Sequence, residues 1–190
     1  MIEDVFNKSD LNRLARQMQN GEERAAAKLY EGLVKKVYGF CLNRVRNKTS
    51  AEDLTQEIFL KLVSRIEIFD PEKGDFVVWF WQLARNTVID YYRRAKDLTF
   101  ADLDGGEDAY AIPVQDTQTR VEKKLEREKI DKFLSSLSEE DQEIFRLRFL
   151  GELSYKEMAK ILEKSEGALR VAVGRLKKKI SNHLKNESPT

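Results

Sequence analysis

Ser154-Tyr155-Lys156-Glu157-Met158-Ala159-Lys160-Ile161-Leu162-Glu163-Lys164-Ser165 decides the architecture of the last third of this chain. Ser154 and Glu157 stand at the spacing of a capping box, in which each side chain serves the other's backbone N–H. Met158, Ala159, Ile161 and Leu162 give the short helix that follows its buried face. Glu163-Lys164 is a tight turn, and Ser165 can cap a second helix. Leu169, Ala172, Val173, Leu176 and Ile180 are the inner stripe of that second helix. A short helix, a tight turn and a second helix make a helix-turn-helix, and small Ala159 lets the two helices cross closely. A preceding helix over Glu139 to Leu150 brings Ile144, Phe145, Leu147 and Phe149 as packing partners.

Charge adds a partner to this fold. From Arg170 to Lys185 the chain carries Arg170, Arg175, Lys177, Lys178, Lys179 and Lys185 and no acid. Phosphates reward such a run through counterion release. The start of the second helix would enter the major groove of duplex DNA, with the basic end gripping the backbone. On this segment alone, a three-helix bundle with a solvated basic face is the competing reading.

Upstream, Ala25, Leu29, Leu33 and Val37 mark one helix face that continues into Phe40-Cys41. Asn47 to Ser50 breaks it, and Ser50 with Asp53 resembles a second capping box. Leu54, Ile58, Leu62 and Ile66 then form an apolar stripe. Asp70-Pro71-Glu72-Lys73-Gly74-Asp75 is a turn, and Asp75 can cap the helix carrying Phe76, Trp79, Phe80, Leu83, Ala84 and Val88. No segment alternates as a strand does, so the fold class is all-α. Residues 97–117 hold Asp97, Asp102, Asp104, Glu107, Asp108 and Asp116 without a single Lys or Arg, and include Gly105-Gly106 and Pro113. This is an acidic flexible linker, drawn over 97–120, between two small helical domains at 10–96 and 121–186.

Composition narrows the function. The 190 residues are 41% hydrophobic, enough for a core, and carry a net charge of only +1. Nucleic-acid binding must therefore come from local charge. Cys41, between Phe40 and Leu42, reads as a buried structural thiol. One Cys and one His (His183) do not make a zinc site. No phosphate-cradling glycine loop, metal cluster or nucleophile–base pair is present, so neither an enzyme nor a cofactor is expected. Met1-Ile2-Glu3-Asp4 does not open a signal peptide, and no apolar run approaches the ~20 residues of a membrane span. A cytoplasmic protein is the expectation.

Three further motifs sharpen the function. Ala51-Glu52-Asp53-Leu54-Thr55-Gln56-Glu57-Ile58-Phe59-Leu60 puts Asp53, Gln56, Glu57 and Lys61 on one outward helix face. Phe69-Asp70-Pro71-Glu72-Lys73-Gly74 follows, then Trp79-Phe80-Trp81-Gln82-Leu83-Ala84-Arg85-Asn86 leading to Asp90 and Arg93-Arg94. In this order and spacing, they resemble the extracytoplasmic-function (ECF) group of the sigma-70 family of RNA polymerase sigma factors. The helix-turn-helix is similar to that family's region 4, so the resemblance covers about residues 22–96 and 125–184.

The resemblance implies an alternative sigma factor that binds core polymerase and directs promoter-specific initiation. Asp53, Gln56, Glu57 and Lys61 would meet the beta-prime clamp helices, with the beta flap as a further polymerase contact. Phe69, Asp70, Lys73, Trp81, Arg85, Asn86, Arg93 and Arg94 would recognise and open the −10 element, one unstacked base entering a pocket formed partly by the loop. Phe76, Trp79 and Phe80 read as core; Trp81, off the main stripe, reads equally as exposed or buried. Asp90 can orient a neighbouring Arg. Ser165, Glu166, Arg170, Arg175, Lys177 and Lys178 would meet the −35 element. The resemblance also implies an anti-sigma factor as a candidate partner. Two departures stand out: Glu163 replaces the family's usual turn Gly, and Ala168, Ala172 and Gly174 replace polar recognition residues. A stand-alone helix-turn-helix regulator is the alternative function, but it has no need of a clamp-binding helix.

Overall fold

A computed structural model describes residues 8–98, 130 and 132–186. Among these residues there are helices and turns and no strand. The chain divides into two compact units between Ala109 and Tyr110. Most of the expected acidic linker lies outside the described residues. Its first two positions, Asp97 and Leu98, instead finish a helix.

Among the described residues, unit 1 has four helices, α1 (Lys8–Gln19), α2 (Glu23–Val45), α3 (Lys48–Arg65) and α4 (Phe76–Leu98), with a 3₁₀ turn at Ile66–Ile68. The periodic residues of α2 (Ala25, Leu29, Leu33, Val37, Phe40, Cys41) and of α3 (Leu54, Ile58, Leu62), with Ile66 beyond it, are all buried. Helix α1, which the motifs do not mark, adds Leu11, Leu14, Ala15 and Met18 to the same core. Between α2 and α3 the chain reverses in two residues. Arg46 is left-handed (φ 53°) and donates to the Leu42 carbonyl at 2.9 Å, and Asn47 is extended. The α3 cap is Asn47, whose side chain accepts from Ser50 N–H at 2.8 Å, not the expected Ser50–Asp53 pair. Asn is itself a strong N-cap, and the extended backbone at Asn47 starts the helix two residues before Ser50.

An aromatic cluster fills unit 1. Trp81 meets Phe40 edge-on at 5.3 Å, Phe80 stacks on Phe76 at 5.7 Å, and Phe59 bridges Phe80 and Tyr30. Such pairs add to simple burial because ring edges and faces carry opposite partial charge. Cys41 is fully buried, and burial pushes its thiol up to about 12, against a smaller opposing hydrogen bond with Thr55. It is the structural thiol expected.

Among the described residues of unit 2, Leu134 and Leu137 are the first to be buried. Ser138 caps α5 (Glu139–Phe145), accepting from Asp141 N–H at 3.1 Å. The helix then widens to a π turn over Arg146–Leu150. Arg146 is fully buried there, its charge answered by Glu143 at 2.8 Å. Helices α6 (Tyr155–Leu162) and α7 (Glu166–Asn186) complete the unit. Ile144, Leu147, Met158, Ile161, Leu169, Ala172, Val173 and Leu176 are buried as expected; Phe145 and Phe149 are half-buried and face each other at 5.2 Å.

Candidate polymerase and nucleic-acid interfaces

In unit 1, burying Leu54, Ile58 and Leu62 of α3 turns Asp53 and Gln56 outward, and both are exposed. Glu57 and Lys61 point along the α4 side and are engaged. Lys61 Nζ lies 2.8 Å from the Glu57 carboxylate and donates to Thr87 Oγ1 on α4 at 3.3 Å. Arg94 Nη2, also on α4, reaches both Glu57 oxygens at 3.1 Å. Burial opposes ionisation of Glu57, but the hydrogen bonds and charges of Lys61 and Arg94 outweigh it and hold the carboxyl below its ordinary value. Two residues assigned to polymerase therefore share a charge cluster with one assigned to DNA. Leu60 and Val63, 69% and 59% exposed, continue the Asp53–Gln56 face at helical spacing. The polar spacing that marks this face in sequence does not extend to its apolar continuation.

The loop over residues 69–75 is built around two side chains. Asp70 accepts from the Glu72 N–H at 3.0 Å and pairs with Lys73 at 3.0 Å. The Lys73 hydrogen bond, helped by Glu72 N–H, holds the Asp70 carboxyl below its ordinary value. The Phe69 ring turns inward onto Phe76 (5.6 Å) and Trp79 (5.4 Å) and is 3% exposed. Asp70 and Lys73 thus shape the loop surface, while Phe69 anchors it from beneath and presents no face to a base.

On α4, Asn86 and Arg93 are exposed and Arg85 is half-buried. Asp90 pairs with Arg93 at 3.1 Å, the orienting role expected. Trp81 is 1% exposed and belongs to the core, while Trp79 is the half-buried tryptophan. This decides the open reading of Trp81 against an exposed base-stacking ring and corrects that of Trp79, which is only partly core. The stripe of α4 is wider than a single row: α1 and α3 both pack on it, and Trp81 meets Phe40 of α2 and Phe80 of its own helix. Tyr92 is tied down too: its hydroxyl donates to the Arg44 carbonyl at 2.7 Å.

In unit 2 the capping box is complete. Ser154 Oγ accepts from Glu157 N–H, and Glu157 Oε2 accepts from Ser154 N–H at 2.8 Å. Glu163 is left-handed (φ 55°) and ends α6, so the turn has the backbone that Gly would take without strain. Ser165 Oγ accepts from Ala168 N–H at 3.2 Å. Arg170, Arg175, Lys177 and Lys178 are exposed along α7, and Glu166 lies 3.6 Å from Arg170. Lys179 pairs instead with Asp141 at 2.7 Å. The Arg170 guanidinium lies over the Tyr155 ring at 4.7 Å, and Arg148 lies over the same ring at 5.2 Å. Neither Tyr155 nor Arg148 stood out in sequence, because the contact joins the first turn of α6 to two other helical segments.

Two family models match this chain: sigma-70 region 2 over residues 29–97 and sigma-70 region 4 over residues 127–180. The ECF RNA polymerase sigma factor SigM of Bacillus subtilis is 32% identical over 153 residues, covering 80% of this chain and 90% of SigM. The ECF sigma factor BldN of Streptomyces coelicolor is 31% identical over 83% of this chain, which spans 59% of BldN's length. This chain belongs to the ECF RNA polymerase sigma factors of the sigma-70 family. Its fold agrees. A structure of CnrH in complex with the cytosolic domain of CnrY aligns with TM-score 0.68 at 23% identity, covering 94% of this chain and 99% of CnrH. Bartonella quintana RpoE, in complex with the anti-sigma factor NepR, aligns with TM-score 0.64 at 20% identity, covering 85% and 98%.

As an alternative sigma factor it acts in transcription initiation, binding core RNA polymerase and promoter DNA. Sigma factors are non-enzymatic initiation factors. A stand-alone helix-turn-helix regulator is not favoured, because the region 2 match covers a unit such a regulator does not need. Among the described residues no helix is long and apolar enough to cross a membrane.

Proposed function

We propose that this ECF sigma factor divides its contacts between two modules, the domains expected at 10–96 and 121–186. Asp53, Gln56, Glu57 and Lys61 on α3 dock on the polymerase clamp, extended by Leu60 and Val63. Asp70 and Lys73 of the loop, with Arg85, Asn86, Arg93 and Arg94 of α4, take the −10 element. Ser165, Glu166, Arg170, Arg175, Lys177 and Lys178 take the −35 element. The observation that carries this reading is the split of unit 1's surface. Exposed Asp53 and Gln56 on α3 suit a basic partner, exposed Asn86 and Arg93 on α4 suit an anionic one, and Glu57 and Arg94 join the two faces. The acidic linker, which follows Leu98 and runs to about 120, tethers the modules, the protein works without catalysis of its own in the cytoplasm, and an anti-sigma factor that covers these surfaces is its candidate regulator.

Run-off transcription with core RNA polymerase tests the whole reading. Added sigma factor gives a promoter-dependent transcript; absence of both transcript and a core complex overturns it. Asp53→Lys tests the clamp assignment. Charge reversal at this exposed site weakens core binding by tenfold or more, on the order of a close interfacial charge contact, with helicity unchanged. Unchanged core affinity removes Asp53 from the interface.

A further inference from the structure

Helix α1 carries none of the residues assigned above to polymerase or DNA, yet its polar side chains close both ends of the loop over residues 69–75. At the start of the loop, Gln19 Nε2 donates to two carbonyls at once, Ile66 at 2.9 Å and Phe69 at 2.6 Å. At its end, Asn12 Oδ1 accepts from Phe76 N–H, the first residue of α4, at 2.8 Å. Between them Arg16 lies 3.6 Å from Glu72, an exposed pair that adds little.

The division of labour along α1 is clear. Leu11, Leu14, Ala15 and Met18 fix the helix to the core, and Asn12 and Gln19 are half-buried beside that stripe. The two amides therefore hold backbone without filling the interior. The loop's other supports include the inward Phe69 ring and the Asp70-centred turn. Phe69 ties the start of the loop to the 3₁₀ turn through its N–H and to α4 by ring packing, and helix α1 adds directional hydrogen bonds to backbone at both ends. A surface that selects a nucleotide by shape must be held to a fraction of an ångström by groups outside it.

We infer that Gln19 and Asn12 are positioning residues for promoter opening: by fixing both ends of the 69–75 loop, they set the shape of the surface that takes an unstacked base. This rests on the −10 assignment of that loop made above. Gln19→Glu is the sharpest variant. It keeps the shape of the side chain but replaces two donors with an acceptor facing two carbonyls. Asn12→Asp keeps the acceptor for Phe76 N–H, whereas Asn12→Leu removes it.

The experiment uses full-length protein bound to core RNA polymerase. The probe is a duplex oligonucleotide with a randomised single-stranded non-template segment, from which the wild-type holoenzyme selects preferred bases. Gln19→Glu flattens the base preference and weakens binding of the selected oligonucleotide about five- to tenfold. Core-polymerase affinity changes little, and the thermal midpoint falls by several degrees while the protein stays folded at the assay temperature. Asn12→Asp retains the preference and Asn12→Leu loses it, a pair that carries the test if Gln19→Glu does not fold. Retention of preference and affinity by both Gln19→Glu and Asn12→Leu overturns the inference alone. So does a loss of selection that only tracks loss of folded protein. If the wild-type holoenzyme selects no base at all, the −10 assignment falls and takes the inference with it.

Discussion

The two units hold their functional surfaces in opposite ways. In unit 2 the hydrogen bonds that start its helices are local: Ser138 to Asp141, Ser154 to Glu157 and Ser165 to Ala168 each span three residues, and Lys179 to Asp141 is a long-range bond beside them. In unit 1 they are long-range. Lys61 reaches Thr87 across 26 positions, Arg94 reaches Glu57 across 37, Gln19 reaches Phe69 across 50 and Asn12 reaches Phe76 across 64. Local caps set where a helix begins and which way its next turn leaves. Long-range bonds set where a loop or charge sits once the core has formed. The helix starts of unit 2 are therefore set within a few residues, whereas the loop and charge cluster of unit 1 are products of its packing.

The strongest test of that contrast is Trp81→Ala. Trp81 is enclosed by Phe40 and Phe80, so truncation leaves a cavity in the centre of unit 1 and costs about 3–5 kcal/mol of unfolding free energy. Half-buried Trp79 loses less on the same change. The chain's two tryptophans both lie in unit 1, so the remaining one reports that unit alone in a denaturant titration. A DNA-stacking Trp81 would leave the unfolding midpoint in place and weaken only promoter opening. That outcome would return Trp81 to the surface and break the claim that this surface depends on the core.

What sequence reading recovered follows the same divide. The helix-turn-helix, its two Ser caps and its buried stripe were legible because capping and periodicity are encoded within a few residues. So were the stripes of α2 and α3. Helix α1 escaped notice, since Asn12 and Gln19 act on residues 47 to 64 positions away. Trp81 is ambiguous in sequence because one period cannot tell how many neighbours a helix packs against; beside α1 and α3, α4 meets Phe40 of α2 through Trp81. The Glu57–Arg94 pair was invisible for the same reason. Each residue was assigned a role separately, and only packing shows that they share a charge cluster.

If unit 2 is governed locally, single-residue backbone preferences should set its stability. Two positions test this from opposite sides. Glu163 is left-handed at φ 55°, where a side chain is strained, so Glu163→Gly stabilises the unit by about 1 kcal/mol. Gly174 sits exposed inside α7, and a Cβ there would meet nothing within 4 Å. Gly174→Ala therefore stabilises by a similar amount, about 1 kcal/mol, through helix propensity. Thermal unfolding of the two variants and of their combination checks both values. The effects add if each acts on its own backbone position. Destabilisation by Glu163→Gly would mean that the Glu163 side chain makes a tertiary contact, and unit 2 would then resemble unit 1.

The smallest effect probes the surface of unit 1 through pH. Lys61 and Arg94 hold the folded Glu57 carboxyl below its ordinary value. A carboxyl depressed on folding adds stability above its unfolded pKa, about 4.3 for glutamate, and that stability is lost as pH falls through the folded value. At neutral pH, wild type is therefore more stable than Glu57→Gln, by less than about 1 kcal/mol because the group is part-exposed and solvent screens it. The two stability curves, followed by tryptophan fluorescence, converge as pH drops below the ordinary glutamate range. They also approach each other at neutral pH in high salt, since screening weakens exposed pairs. Curves that overlay at every pH would show that the α3–α4 charge cluster contributes nothing in solution. Glu57 and Arg94 would then act as independent surface groups, and the long-range character of unit 1 would rest on its loop and its core alone.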